Sequence, residues 1–458
     1  MLYETTGPFR TMVDAETGLV DRSIFADEAI YQMELERIFA RAWNFMCHES
    51  QIKKPGDFFL SFIGEESVIA TRDKKGELQV LLNSCRHRGN AVCRAEEGNA
   101  RSFLCTYHGW TYGLDGQLIG VPGYKDFYHE QLDKSQWGLV KAGKVASYKG
   151  FVFATMDPEA PDLEEYLGPV GRMSIDLIAE RGDMEIVGGI QKNLIGCNWK
   201  LAVDNLFDFY HPQISHASAF MSGFRKQLEG VDAAEQAIVE TAEINGGIRN
   251  AHRVVLGKYG HAIGGPRLTK EVRDARSLLG PRFEVLTNDN FRQTEKAQEA
   301  LGEIGLDVNG HPNIFPNLWV ATNGHQLSLR LPKGPDKCEI WWFAFVPKEA
   351  PDWKKAELIE RSIHVFGAAG LLEQDDGENW DQSTRAMKGV IAKRYPLNFS
   401  MGVKQGVVNH AEGDLHYVDV TTNEHAQLWT YRGWAEWMDA ESWGQLKQIA
   451  VQHPGDLV

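Results

Sequence analysis

The sequence has no basic excess, no long apolar run and few cysteines, and each shortage removes a class of protein. Acidic residues number 63 against 48 lysines and arginines, a formal charge of −15 at pH 7. That sign repels a phosphate backbone, so nucleic acid is not expected as a partner. The longest strongly apolar run, residues 340–346, is far below the roughly 20 residues that a membrane-spanning helix needs. The first residues, Met1-Leu2-Tyr3-Glu4-Thr5, carry neither the basic start nor the apolar core of a secretory signal, so the expected compartment is the cytoplasm. Six cysteines among 458 residues are too sparse for a disulfide framework, which leaves each thiol available to a metal or to the core.

The bulk composition, 43% hydrophobic and 24% charged, is that of an ordinary globular protein. The length exceeds what one core usually supports, so two domains are expected. Residues 26–43 place Ile30, Met33, Leu35, Ile38, Phe39 and Ala42 at helical spacing, which predicts an amphipathic lead-in helix. From residue 56 to about 156 the pattern changes to short β-rich runs broken by glycines and charged turns, which predicts a small all-β domain. An acidic, proline-containing stretch at 157–162 suits a boundary. Beyond it helices mix with strands, notably over 318–331 and 338–346, which predicts an α+β domain. Residues 221–303 show weak periodicity and many charges and are expected to be irregular covering segments over a pocket.

Two constellations carry chemistry. In the β-rich segment, Cys85-Arg86-His87 and Cys105-Thr106-Tyr107-His108 present two thiolates and two imidazoles in short loops separated by residues 88–104. On spacing alone two sites fit: a tetrahedral zinc, or a two-iron cluster with two Cys on one iron and two His on the other. Cys47, Cys93, Cys197 and Cys338 fall outside the pattern and read as packed thiols. The second constellation runs from Asn198 to His216, with His211 and His216 five residues apart. A regular helix would turn them roughly 140° from each other. Pro212 cannot donate to the Asp208 carbonyl and disfavours helical geometry at His211, so an unwound helix that lets both imidazoles meet is expected. Such a pair needs one carboxylate to complete a facial triad for non-haem Fe(II). The acidic run after residue 370 offers Glu373, Asp375, Asp376 and Glu378, among which spacing does not choose.

The neighbours of these ligands add a resemblance. Asn83-Ser84-Cys85-Arg86-His87-Arg88-Gly89 and Cys105-Thr106-Tyr107-His108-Gly109-Trp110 resemble the Rieske motif C-x-H…C-x-x-H in order and flanks. Asp204-Asn205-Leu206-Phe207-Asp208-Phe209-Tyr210-His211, continuing to His216, resembles the motif [DE]-N-x-x-D-x-Y-H-x-x-x-x-H, with Asp204 where Glu is commoner. Leu372-Glu373-Gln374-Asp375-Asp376-Gly377-Glu378-Asn379-Trp380 resembles the carboxylate-ligand motif of the same family. Taken in order over nearly the whole chain, these features resemble the large (alpha) subunit of bacterial Rieske non-haem iron ring-hydroxylating dioxygenases, the naphthalene, biphenyl and phenylpropionate group.

The resemblance implies a fold, a division and a function. The fold is α+β, a small all-β Rieske domain joined to a larger catalytic domain with an antiparallel sheet covered by helices. Residues 1–42 would form a lead-in helix packed with the catalytic domain, 43–157 the Rieske [2Fe-2S] domain and 158–458 the mononuclear iron domain. Cys85, His87, Cys105 and His108 would hold the cluster; His211, His216 and Asp376 would hold Fe(II). Asp208 would bridge His108 of one subunit to His211 of another in a trimer. Asn205, Phe207, His311, Asn313, Phe366 and Leu372 would line an apolar substrate pocket. The implied activity is dihydroxylation of an aromatic ring to a cis-dihydrodiol with O2. Electrons would come from a ferredoxin served by a NAD(P)H-dependent reductase, and a small beta subunit in an α3β3 assembly is favoured over an α3 trimer. A Rieske monooxygenase or demethylase would use the same metals; a zinc-stabilised binding protein or electron carrier would not need His211, His216 and Asp376. Arg225 and Arg249 read as surface charges and do not argue for a carboxylate substrate.

Overall fold

A computed structural model describes residues 9–222, 232–242, 249–278, 289–322, 325–411, 413 and 415–450. Arg225 lies outside them. The chain forms two units, one of Phe39–Leu163, the other of Met1–Ile38 with Glu164–Val458. No helix among the described residues is long and apolar enough to cross a membrane.

The smaller unit is built from short antiparallel strands in three sheets. Strand β1 (Asn44–His48) lies beside β10 (Phe151–Thr155), which pairs β9 (Lys144–Tyr148). A second sheet joins β2 (Asp57–Ile63), β3 (Glu66–Arg72), β4 (Leu78–Leu82) and β5 (Glu97–Asn99). The third is formed by β6 (Phe103–Leu104), β7 (Thr111–Tyr112) and β8 (Leu118–Gly120). Cys85 and Cys105 sit in the core shared by the last two sheets, beside Phe58, Leu81, Phe103, Trp110 and Tyr112.

The larger unit is organised by one ten-stranded antiparallel sheet. Its strands are β11 (Met184–Ile186), β12 (Gln191–Ile195), β13 (His252–Leu256), β14 (Ala262–Gly264), β15 (His311–Ile314), β16 (Leu318–Ala321), β17 (Gln326–Pro332), β18 (Cys338–Pro347), β19 (Val408–Ala411) and β20 (Leu415–Val420). They run in the order β11-β18-β17-β16-β15-β14-β13-β20-β19, and β12 also pairs β18. Two expectations are corrected here. The lead-in helix is shorter than 26–43: α1 spans Glu28–Glu34, started by the Asp27 carboxylate on Ala29 N and Ile30 N, and widens into a π-turn over Leu35–Phe39. The segment 221–303, expected to be irregular, supplies β13, β14 and the helices Ala233–Ala242, Lys270–Ser277 and Glu295–Leu306 within its described residues. Its charges misled because some pair inside the fold. Arg253 on the fully buried β13 forms a bidentate pair with Asp419, its cross-strand partner on β20, at 2.7 and 2.8 Å, which satisfies a guanidinium that would otherwise be excluded from a core strand.

His261, before β14, gives the unit an acid-sensitive point. Its Nδ1 accepts from Phe315 N–H and its Nε2 donates to the Tyr166 carbonyl, both at 2.9 Å. That pairing needs the neutral ring, and burial holds its pKa down to about 4. The unfolded chain protonates near pH 6.5, so this stability is present above that pH and is lost as pH falls toward about 4. Between pH 7 and 5 His261 is expected to account for about 2 kcal/mol of lost stability. Urea titrations at both pH values test it: in His261→Gln the loss should shrink by that amount, and an equal loss in both proteins would disprove the assignment.

Candidate metal centres

The two Cys-His loops share one construction. Gly89 and Gly109, both at positive φ (78° and 75°), donate to the carbonyls of Cys85 (2.8 Å) and Cys105 (2.9 Å). A side chain at residue 109 would meet Pro122 at 2.8 Å, which leaves glycine the residue that fits. Each turn buries its sulfur, with Cys85 and Cys105 at 3% and 1% exposure, and leaves its imidazole partly exposed. Tyr112 Oη lies 3.2 Å from Cys85 Sγ and accepts from the Arg86 N–H at 3.1 Å, while the Asn90 amide reaches Cys105 Sγ at 3.7 Å. The rings of His87 and His108 are 4.6 Å apart, and His87 stacks on Trp110 at 4.9 Å.

This arrangement separates the two readings left open by spacing. Around a single zinc the four donor atoms would crowd within about 4 Å of one another at bond lengths of 2.0–2.3 Å. Among the described residues only one set of three such donors converges within 4.8 Å, and it lies elsewhere. Two sulfurs in the core and two imidazoles toward the surface instead fit a larger group with Cys on its inner metal and His on its outer one.

The converging set is His211, His216 and Asp376. The two Nε2 atoms are 3.2 Å apart, and Asp376 Oδ1 lies 3.4 Å from each. Helix α2 (Trp199–Asp204), capped by Asn198, passes into a 3-10 turn over Asn205–Phe207 and breaks at Asp208 (φ −83°, ψ 65°). Helix α3 (Pro212–Ser215) and helix α4 (Ala217–Met221) follow. The break comes where an unwound helix was expected, but its site differs. His211 keeps helical angles (φ −72°, ψ −28°), and Pro212 opens α3 at a position whose N–H needs no partner.

The carboxylate comes from α6 (Leu371–Met387), which follows α5 (Asp352–Val365). Residues 373 and 376 lie one turn apart on its buried face, whereas Glu378 is exposed. Asp375, half-buried, approaches the far nitrogen of His216, Nδ1, at 3.3 Å. His211 has the opposite arrangement, since among the described residues its buried Nδ1 has no partner. Burial works against protonation of His211, but Asp376 and Asp208 together outweigh it and raise the imidazole pKa. Two neutral imidazoles and a carboxylate with open positions on the remaining side are the donor set of a mononuclear non-haem iron site.

The sheet carries an aromatic wall, which Phe209 of the His211 turn meets at His311, 5.0 Å away, and Glu373 of α6 meets at Arg330, 3.5 Å away. Asn313, Trp319, Ser328 and Trp342 are successive cross-strand partners on β15, β16, β17 and β18 and share one face. The small Ser328 lets the two indoles meet at 4.9 Å. Phe366 stacks on Trp342 at 4.8 Å, and His311 lies between Phe209 and Trp319 at 5.0 and 5.1 Å. Asn205 and Phe207 stand on the turn before Asp208, and Leu372 opens α6 half-buried. Among the described residues neither amide atom of the fully buried Asn313 has a partner, nor does His311 Nδ1, and burial pushes the His311 pKa down to about 3. Sequence reasoning did not single out Trp319, Trp342 or Arg330 for the site, because strands buried along nearly their whole length give no alternation to mark one face. Arg330 is fully buried, with its guanidinium 4.7 Å from the Trp319 ring and 3.5 Å from Glu373. Burial pushes the Glu373 pKa up to about 7 even beside this cation. Arg249 is exposed and donates to Gln213 at 3.1 Å.

Residues 163–439 match the ring hydroxylating alpha subunit (catalytic domain) family, and residues 42–148 match the Rieske [2Fe-2S] domain. The chain belongs to the ring-hydroxylating alpha-subunit family. It is 35% identical to the biphenyl dioxygenase subunit alpha of Paraburkholderia xenovorans, over 97% of this chain and 96% of the relative. It is equally similar, at 35%, to a benzene 1,2-dioxygenase subunit alpha of Pseudomonas putida, over 96% of each. A solved naphthalene 1,2-dioxygenase with indole bound in its active site superposes with a TM-score of 0.82 at 28% identity, covering 95% of this chain and 96% of that one. The protein is thus a ring-hydroxylating oxidoreductase whose cofactors are a Rieske [2Fe-2S] cluster and a mononuclear non-haem iron.

Proposed function

We propose that this alpha subunit converts an aromatic hydrocarbon, O2, two electrons and two protons into a cis-dihydrodiol. In this reading Cys85, His87, Cys105 and His108 hold the cluster, and His211, His216 and Asp376 hold the iron. The observation that carries it is the convergence of those last three side chains on one point, at a turn whose Phe209 packs on His311 of the aromatic wall on the sheet face at 5.0 Å. When bound, the mononuclear iron supplies dioxygen activation and the cluster stores an electron for it. The chain's own residues do the rest. Asp376 and the two imidazoles leave one side of the iron position open, while Asn205, Phe207, His311, Asn313, Phe366 and Leu372 hold the flat substrate there and keep water out. Arg330, the cation in that wall, is paired with Glu373, which supports a hydrocarbon over an aromatic acid. Biphenyl and benzene, named for two relatives, are the first substrates to try.

Electrons would arrive from a ferredoxin and its NAD(P)H-dependent reductase. They would pass from His108 of one copy through Asp208 to His211 of another, in an α3β3 assembly with a small beta subunit. Two measurements test the proposal. Anaerobically purified protein should contain acid-labile sulfide and about three irons per chain, the sum of a two-iron cluster and one mononuclear site. Turnover under 18O2 with ferredoxin and reductase should put both labelled atoms of one molecule into a cis-diol. Zinc without sulfide would defeat the assignment of the first centre, and a single labelled atom in the product would convert the reading to monooxygenation.

A further inference from the structure

Helix α7 (His425–Asp439), which follows β20, lies more than 200 residues downstream of the His211 turn, yet one of its faces grips that turn. Its N-cap Glu424, with Gln427 and Tyr431, is spaced three and four residues apart, so the three side chains share a face. They meet the turn in antiparallel order. Tyr431 Oη donates to Asp204, Gln427 Nε2 donates to Asp208 Oδ1, and Glu424 accepts from Tyr210 Oη at 2.9 Å. Glu424 is itself held by the Met401 N–H at 2.9 Å. Gln427 is 1% exposed, and among the described residues its Oε1 has no partner and the donation to Asp208 is the one hydrogen bond its side-chain amide makes. Among the described residues no hydrogen bond joins the Asp208 carboxylate to the His211 ring; the two residues are linked through the backbone, His211 N–H to the Asp208 carbonyl at 3.3 Å. The Asp208 carboxylate is therefore held from α7 by Gln427, with Tyr210 of its own turn as a second hydrogen-bond partner.

We propose that Gln427 is a positioning residue for the oxygenase reaction: its amide sets the direction of the Asp208 carboxylate, and through it the passage of electrons to the His211 site. The inference rests on the reading of His211 as an iron ligand and of Asp208 as the bridge. A group that orients a neighbour of a metal ligand typically changes function by about 10- to 100-fold when removed. Gln427→Leu deletes the donor at similar volume, and Gln427→Glu keeps the shape while setting a second carboxylate against Asp208.

Both variants should retain wild-type iron content and cluster spectrum. In a single turnover with prereduced protein, substrate and O2, reoxidation of the cluster should slow by about 10- to 100-fold. The EPR spectrum of a nitric oxide probe bound at the ferrous site should shift as it does in Asp208→Asn, a change that loosened packing elsewhere would not reproduce. In the Asp208→Asn background, Gln427→Leu should add nothing, because the two residues act as one unit. Wild-type reoxidation in either folded, iron-loaded variant overturns the proposal, as does a further, multiplicative slowing in the double variant. If Gln427→Leu does not fold, Gln427→Glu alone decides. A different outcome belongs to the underlying reading: wild-type protein whose reduced cluster is not reoxidised by substrate and O2 is not this oxygenase, whatever Gln427 does.

Discussion

Asp376→Ala is expected to yield protein with about two irons per chain in place of about three, an unaltered cluster spectrum and no product. The size of the effect follows from charge. Asp376 brings the only formal negative charge among the three donors, and its Oδ1 stands 3.4 Å from both His211 and His216. Two neutral imidazoles at 3.2 Å leave a divalent ion uncompensated in a site where Asp376 is 5% exposed and His216 2%. An uncompensated charge in such a place is strongly disfavoured. The neighbouring acids provide graded controls. Asp375 faces His216 Nδ1 at 3.3 Å, so Asp375→Ala should orient that ring less well and weaken iron binding by about 10- to 100-fold. Glu378 points to solvent, and Glu378→Ala should leave iron and turnover unchanged. Iron analysis by mass spectrometry after competition with a ferrous chelator reads all three. Full iron in Asp376→Ala would mean that another acid is the ligand.

The second large effect is expected in folding. Glu34, at the end of α1, is fully buried and accepts three hydrogen bonds, from Lys200 Nζ at 2.5 Å, Trp199 Nε1 at 2.8 Å and Trp434 Nε1 at 2.7 Å. It ties the start of the chain to α2 and α7, the two helices that hold the His211 turn. Burial alone lowers the Lys200 pKa, and Glu34 works against that loss. Glu34→Ala strands an ammonium ion that is 3% exposed and leaves two indole N–H groups unsatisfied, a destabilisation of about 3–5 kcal/mol. Glu34→Leu combined with Lys200→Met should recover much of it, since a matched apolar pair removes the stranded charge. Denaturant titrations of the single and double variants test this. A double variant no more stable than Glu34→Ala would show that the indole contacts, and not the ion pair, dominate.

How far the sequence carried the argument depends on how far apart the cooperating residues lie in it. The Cys85-His87 and Cys105-His108 pairs were legible as candidates because each lies within one turn of backbone, and the His211-His216 pair because Pro212 beside it signalled an interrupted helix. The zinc alternative was not removable at that level, since spacing says nothing of how far apart two loops come to rest. Pro212 correctly marked a break but not its place, because proline suits the first residue of a new helix as well as the end of an old one. The choice among Glu373, Asp375, Asp376 and Glu378 was a matter of helix rotation, which packing of α6 decides and composition does not.

The sequence by itself thus determined the β-rich and α+β segments and the family, and it put forward the candidate ligands Cys85, His87, Cys105, His108, His211 and His216. Only the tertiary structure decided that 221–303 feeds strands into the sheet, that Arg330 is buried against Glu373, that Glu34 anchors the amino-terminal helix, and that α7 steers Asp208. All four are pairings across tens to hundreds of residues. A charged or amide side chain in a sequence looks the same whether it will face water or a buried partner. The difference appears only when the folded chain brings the partner within hydrogen-bond reach and excludes the solvent.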